Sequence, residues 1–302
     1  MVAVAVRVKT GVWRDYLSLT KPRVILLHLV TAASAMFLAA EGVPAGVTVL
    51  LTLGGGGLVV AASNAINCYL DRDIDEKMVR TRRRPLPAGR LRPSEAMLFG
   101  IVTGSAGLLV LGVLVGLAPA ILAGTALAYY ILAYTMLAKR RTRWSTLIGS
   151  AAGAIPPLVG WAAIADRITL VPLLLFAIIA LWTVPHFWSL GMLRREDYAQ
   201  AGLSVLPRTG AATGILVFSL LLVAAHLALM PAAGLGFIYL GTVLLLGAVL
   251  LVMSVRLQLQ RARPARAARQ LYLYSIVYLL ALSAVTIVDR LAAFLWTGYA
   301  AS

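Results

Sequence analysis

Apolar residues run through this chain in long blocks. Stretches at 23–40, 45–70, 95–116, 119–138, 145–164, 168–193, 213–230, 233–255 and 271–289 are hydrophobic nearly all the way round, with polar and charged residues gathered between them. About 20 such residues are what an α-helix needs to cross the hydrocarbon core of a bilayer. An open sheet could not satisfy its backbone there. The pattern therefore predicts an all-α fold, a polytopic membrane helix bundle with nine transmembrane helices. Residues 1–22 form an N-terminal segment and 23–289 one membrane domain with long polar loops at 71–94 and 194–212. Residues 290–302 form a short tail on the far side.

Composition agrees: 61% of the 302 residues are hydrophobic, 13% are charged, and the mean hydropathy is +0.91. These values lie outside soluble globular usage. The net charge of +16 raises nucleic acid as a partner until the charges are located. Of the 27 lysines and arginines, all but Arg167 and Arg290 fall before the first span or after the second, fourth, sixth and eighth. That is the positive-inside distribution of a multi-pass protein of the cytoplasmic membrane, with the N-terminus in the cytoplasm and the C-terminus outside. The basicity encodes topology and lipid contact, not nucleic-acid binding. The opening stretch MVAVAVRVKTGVWRDYLSLTKPR carries charges throughout, without the apolar core and small-residue exit of a cleaved signal. Cys68, the single cysteine, excludes an internal disulfide or a cysteine-based zinc site and is expected to pack in the second span. The run Gly54 to Gly57 lacks the GK[ST] ending of a phosphate loop and reads as a close helix contact.

The most informative stretch follows the second span: NAINCYLDRDIDEKMVRTRRRPLPAG. Asn67, Asp71 and Asp75 stand four apart, so a helix running that far would place them on one face, with Asp73 turned away. Asp71, Asp73 and Asp75 imitate the start of a calcium-binding EF-hand loop. Glu76 occupies the required glycine position and Arg82 the closing glutamate, so that reading fails. A solvated helix end with local pairs such as Asp73 to Lys77 is the bland alternative. Against it stands the basic run Arg80, Arg82, Arg83, Arg84. Carboxylates for a hard cation followed by guanidiniums for spare phosphate oxygens suit a magnesium-bridged diphosphate at the membrane edge.

With Met78, Thr81 and Pro85 completing it, this motif resembles the first aspartate motif, NxxxDxxxD, of the UbiA superfamily of intramembrane prenyltransferases. The stretches LTKPR, KRRT, GAIPPLVGWAA, PHFW and DYAQAGLSVLP are similar to the branch of that superfamily that farnesylates protoheme IX. The resemblance runs from Leu19 to Asp289. It implies a UbiA-like fold, Mg²⁺ as cofactor, and farnesyl diphosphate and heme b as substrates. Water would add to the porphyrin side to give heme O, and a heme A synthase would act downstream. By the same resemblance Asn67, Asp71, Asp75 and Asp197 ligate the metal, with Asp71, Asp75 and Asp197 catalytic. Asn67, Arg80, Arg84, Lys139, Arg140, Arg194 and Arg195 hold the diphosphate, and His186, Trp161 and Tyr198 lie on the heme side. One departure is visible: the second DxxxD of the superfamily is absent, since Leu193 and Ala201 stand four residues either side of Asp197. His28 and His226 sit in no motif. Pro156 and Pro157 should interrupt the fifth span, and Pro185 should perturb the sixth. A prenyltransferase for a quinone precursor remains an alternative within the class, and a heme or lipid carrier one outside it. A carrier would place its charged site near the midplane rather than at a helix end.

Overall fold

The computed structural model describes residues 11–40, 42–165, 167–260 and 264–300, which are helical throughout apart from short connections, with no strand among them. A short helix α1 (Val12–Thr20) precedes α2 (Pro22–Ala39) and α3 (Gly46–Leu70), and a single turn-and-a-half, α4 (Arg72–Lys77), follows. Then come α5 (Pro93–Leu109), α6 (Leu117–Tyr129), α7 (Ser145–Ala154), α8 (Pro156–Ala162), α9 (Leu170–Leu193) and α10 (Arg195–Gln200). The chain ends with α11 (Ala211–Ala233), α12 (Phe237–Leu259) and α13 (Pro264–Ala300). Helices α5 and α6 each continue as a π-helix, over Val110–Val115 and Tyr130–Ala138.

Eight helices among the described residues are long and apolar enough to cross a membrane. The ninth expected span, 145–164, is built from α7 and α8 in series. Pro156 and Pro157 lack the amide hydrogens that would carry α7 onward, and they are suited to the first positions of a new helix. Two other boundaries move. Gly234, in the left-handed region at φ 62°, closes α11 with its N–H on the Met230 carbonyl, so the next span starts at Phe237 rather than 233. The last helix runs well beyond 271–289 at both ends, and 290–300 belongs to it.

Polarity is distributed for lipid. Large apolar side chains point outward, among them Leu50, Val113, Leu117, Leu245 and Phe237, the last 87% exposed. Inside, small and hydroxyl-bearing residues are interleaved with fully buried large side chains such as Tyr239, Tyr278, Leu222 and Leu250. Thr31, Ser34, Thr183, Ser219, Ser254 and Thr286 are buried, and each hydroxyl donates to a carbonyl three or four residues back in its own helix. Each polar atom is thus satisfied locally while neighbouring helices close in. Helix α9 is the centre of one half, packing on α7, α11 and α13; α3 is the centre of the other, packing on α5 and α2; α13 closes against α2.

Glycine sets the closest approaches. A side-chain carbon at Gly107 would meet the Gly55 carbonyl at 2.6 Å, so α3 and α5 touch backbone to backbone. This places one member of the Gly54 to Gly57 run in a helix contact, while Gly54 and Gly56 face open space. Gly160 is tighter still, because a methyl there would collide with the Ala32 carbonyl of α2. Gly160→Ala is therefore expected to destabilise the protein by about 3 kcal/mol, read as a lowered melting temperature in detergent. A variant that melts with the wild type would show that α2 and α8 are free to separate.

Candidate active site

One end of the bundle collects most of the charge. Helix α3 carries Asn67 in its last turn and stops at Leu70; Asp71 then leaves helical geometry at φ −94°, ψ 4°. Its carbonyl accepts the Asp75 N–H at 2.8 Å, so α4 restarts almost in phase. The expected single face is thereby kept across a break: Asn67, Asp71 and Asp75 are all buried, at 4%, 1% and 2% exposure. Asp73 is turned outward, as the spacing requires, but its partner is not Lys77. Arg140 grips it with two nitrogens at 2.7 and 2.8 Å and also holds the Leu70 carbonyl at 2.8 Å. That bidentate contact draws the Asp73 carboxyl below its ordinary range.

The buried face is ringed with cations. Asp71 Oδ2 accepts Asn67 Nδ2 at 2.7 Å and forms an ion pair with Lys139, delivered by the π-helical end of α6. Asp75 Oδ2 accepts Arg84 at 2.6 Å, and its backbone carbonyl accepts the buried Thr81 hydroxyl at 2.8 Å, which anchors the turns of 78–92. Those turns are tied to α1 by Arg90, which donates to Asp15 at 2.9 Å and to the Arg83 carbonyl. Asn67 Oδ1 accepts the Lys21 ammonium at 3.0 Å, and its amide nitrogen also reaches Thr135 at 3.3 Å.

Sequence reasoning missed Lys21 and Thr135. Lys21 sits at the joint of α1 and α2 and is the one non-glycine residue with positive φ among those described, at 52°. The residue before a proline is pushed out of the right-handed helical region, which is the signal that could have marked it. Burial lowers its pKa, with Arg84 and Lys139 adding to the effect. Burial acts the same way on Lys139 and Arg84, but Tyr134 and Asp71 outweigh it at Lys139 and Asp75 outweighs it at Arg84, so both shift upward.

A divalent cation fits these residues. Asp71 Oδ1 is a buried carboxylate oxygen with no hydrogen-bond partner, a costly state that a cation would relieve. No group of three His, Cys, Asp or Glu side chains among the described residues is placed to hold a metal by itself. Magnesium seldom needs such a cage, because it takes one or two carboxylates and completes its shell with water and phosphate oxygens. Asp197 lies on α10, outside this buried group. Its neighbour Tyr198 packs against a small cluster formed by Ile74 and Met78 with Leu203. Arg80, Arg194 and Arg195 are exposed around the same end.

The remaining expected residues do not converge. His186 is buried between α9 and α13, 2.9 Å from the Ser275 hydroxyl and stacked on Trp182 at 4.4 Å. Pro185 is accommodated inside a continuous α9. Trp161 lies at the opposite end of the bundle, its indole N–H donating to the Arg167 carbonyl at 2.9 Å. Cys68 is a packing residue, buried among Leu19, Ala65 and Leu86.

A buried Asn-Asp-Asp face crowned by Lys and Arg thus stands at one end of an apolar bundle. Residues 28–300 match the UbiA prenyltransferase family, and the chain belongs to it. Among curated relatives it is 44% identical, over 94% of its own length and 96% of theirs, to a protoheme IX farnesyltransferase of Symbiobacterium thermophilum. It is 41% identical, over 92% and 89%, to the protoheme IX farnesyltransferase of Microcystis aeruginosa. Among solved structures the fold is that of a digeranylgeranylglyceryl phosphate synthase, with TM-score 0.76 and 17% identity over 93% of this chain and 99% of that one. It is also that of a UbiA homolog from Archaeoglobus fulgidus bound to GPP and Mg²⁺, with TM-score 0.62 and 15% identity over 90% and 99%.

Proposed function

We propose that this protein transfers the farnesyl group of farnesyl diphosphate to a vinyl group of heme b, with addition of water, to give heme O and diphosphate. The observation that carries the diphosphate half is the orphaned Asp71 Oδ1 beside Lys21, Lys139 and Arg84. The porphyrin half rests on relatives at 41–44% identity along nearly the whole chain.

Asn67, Asp71 and Asp75 would hold Mg²⁺, with Asp197 joining from α10. When bound, Mg²⁺ neutralises charge that develops on the departing diphosphate. Lys21, Lys139 and Arg84 orient the diphosphate by direct contact with its oxygens, and Arg80, Arg140, Arg194 and Arg195 surround the entrance. The C1–O bond of the farnesyl chain breaks with its electron pair leaving on diphosphate. The vinyl terminus supplies the electrons for the new C–C bond. Water then adds to the porphyrin-side cation and releases a proton. Tyr198, packed against the cluster of Ile74, Met78 and Leu203, is the aromatic ring that would stabilise the allylic cation in this reading. His186 is the heme-side histidine in this reading.

The deciding experiment is incubation of purified protein with Mg²⁺, heme b and farnesyl diphosphate, followed by mass spectrometry of extracted heme. A hydroxyethylfarnesyl adduct is expected. Farnesylation of a phenolic quinone precursor instead would make this a quinone-pathway enzyme, and no turnover with either acceptor would favour a carrier. The charge distribution puts the acidic end in the cytoplasm and the C-terminus outside. Cysteines placed in 77–92 should accordingly be labelled from the cytoplasmic side alone.

Lys21 gives a sharper test of the anion site. Lys21→Gly removes both a strained left-handed residue and an ammonium that neighbouring cations repel. Strain relieved at the left-handed backbone, about 1 kcal/mol, is offset by the hydrogen bond that the buried Asn67 Oδ1 loses, also about 1 kcal/mol, so the expected variant melts near wild type while its KM for farnesyl diphosphate rises about tenfold. An unchanged KM would remove Lys21 from the diphosphate site.

A further inference from the structure

At the end of the bundle opposite Asp71 the helices border a half-open cavity of about 280 Å³. Leu38, Trp161, Val171 and Ala232 give it apolar walls, and Arg290 supplies its charged group. The topology fixes its position: Leu38 ends α2, Val171 begins α9 and Gly234 terminates α11, whereas the acidic site lies at the far ends of α3 and α9. From Val171 to Leu193 the helix rises about 33 Å, so the two sites sit on opposite faces of the bundle.

Arg290 is unusually placed. Its Nε is buried without a hydrogen-bond partner. The neighbouring carboxylate does not serve it: Asp289 is buried at 4% exposure and accepts the N–H groups of Gly236 and Tyr239 at 2.6 and 3.1 Å, capping α12. Among the described residues Arg290 has no ion pair. A guanidinium in a partly apolar recess requires an anion with several oxygens. The walls require alkyl chain beside that anion. Trp161 offers the face of its ring, because its indole N–H is already engaged by the Arg167 carbonyl, and tryptophan is favoured at headgroup depth. Arg167 is exposed at the same end and is not among the residues that line the cavity. The volume lies near the lower bound for small-ligand pockets of about 300 Å³. It suits a phosphate and the first part of an acyl chain, with the rest of the molecule in the bilayer.

We propose that this cavity binds an anionic phospholipid from the leaflet opposite the acidic site, its phosphate on Arg290 and its chain against Leu38, Trp161 and Val171. A net negative lipid is favoured because, among the described residues, the neighbouring carboxylate, Asp289, already caps α12 and is not open to a choline-type cation.

The test is native mass spectrometry of the full-length protein in detergent, titrated with phosphatidylglycerol or phosphatidylcholine, together with melting temperatures in vesicles of each lipid. Wild type should retain one phosphatidylglycerol about tenfold more tightly than Arg290→Gln and should melt several degrees higher in phosphatidylglycerol than in phosphatidylcholine vesicles. Ala233→Leu, which narrows the cavity while keeping Arg290, should lose the same lipid. Arg167→Gln should change little. Retention of phosphatidylglycerol at wild-type affinity by both Arg290→Gln and Ala233→Leu would overturn the assignment. Equal retention of phosphatidylcholine would overturn the charge selection. Inorganic phosphate displacing the lipid and protecting as well as it does would show a free-anion site in place of a lipid site.

Discussion

Asp71→Asn is expected to lower farnesyl transfer about a thousandfold while the protein still inserts and folds. The substitution keeps the shape of the side chain and its contact with Asn67, but it removes the anionic oxygen that has no protein partner. Lys139 then loses its counterion, so a fall in melting temperature accompanies the loss of activity. The diagnostic measurement is the rate at saturating farnesyl diphosphate across a magnesium titration. If Asp71 is a metal ligand, the magnesium concentration that gives half the maximal rate rises by about tenfold or more, the order of magnitude that lost metal-site contacts cost, whereas loss of a direct phosphate contact would leave it unchanged. Activity within tenfold of wild type at ordinary magnesium would remove Asp71 from the centre of the site.

The second large effect is expected at Lys139. Its ammonium is paired with Asp71 in a setting where both side chains are largely buried, at 16% and 2% exposure. Breaking such a pair from one side leaves an uncompensated charge and costs about 3 kcal/mol. Lys139→Met should therefore lower the melting temperature, and it should also raise the KM for farnesyl diphosphate about a hundredfold, which a structural role alone would not do. Magnesium should not restore binding, because an ammonium reaches phosphate oxygens directly. Lys139→Arg should restore part of the affinity, since charge is kept and reach is not. A Lys139→Met enzyme with normal KM and lowered stability would make Lys139 a partner of Asp71 only.

The parts of this molecule legible in the sequence are those with a short repeat. Spans show as apolar blocks, and the Asn67, Asp71, Asp75 face shows because four-residue spacing nearly matches the helical turn. The structure keeps that face even though α3 ends at Leu70. Partners were harder. Asp71 and Lys139 are 68 residues apart and Lys21 and Asn67 are 46 apart, distances at which no local periodicity links two side chains. The Asp73 pair shows the bias of local reading. Lys77 sits at helical spacing on the same segment, yet Arg140 takes the carboxylate with a two-pronged geometry that a lysine cannot offer. The joint between α11 and α12 differs from the expected 230–233 because α11 carries on through Pro231 to Ala233, and the turn depends on the positive φ of Gly234. Three aromatic or imidazole residues expected around one substrate fall in three places. Hydropathy gives a helix its depth in the bilayer but not the direction in which a ring points.

The π-helical stretch over Tyr130–Ala138 has a consequence for how this region tolerates length changes. Each turn closed from residue i to i+5, as where the Lys139 N–H donates to the Tyr134 carbonyl at 2.8 Å, holds one residue more than an α-turn. Relative to an uninterrupted α-helix, whatever follows is rotated by about 100° per extra residue. Leu132, Met136 and Leu137 can therefore face lipid while Lys139 points inward at Asp71. The wide turn works as a phase adjuster between a greasy rod and a charged tip. Deleting a single residue within it would let the rod straighten into plain α-helix, swinging the lysine off its carboxylate without altering one side chain of the pocket.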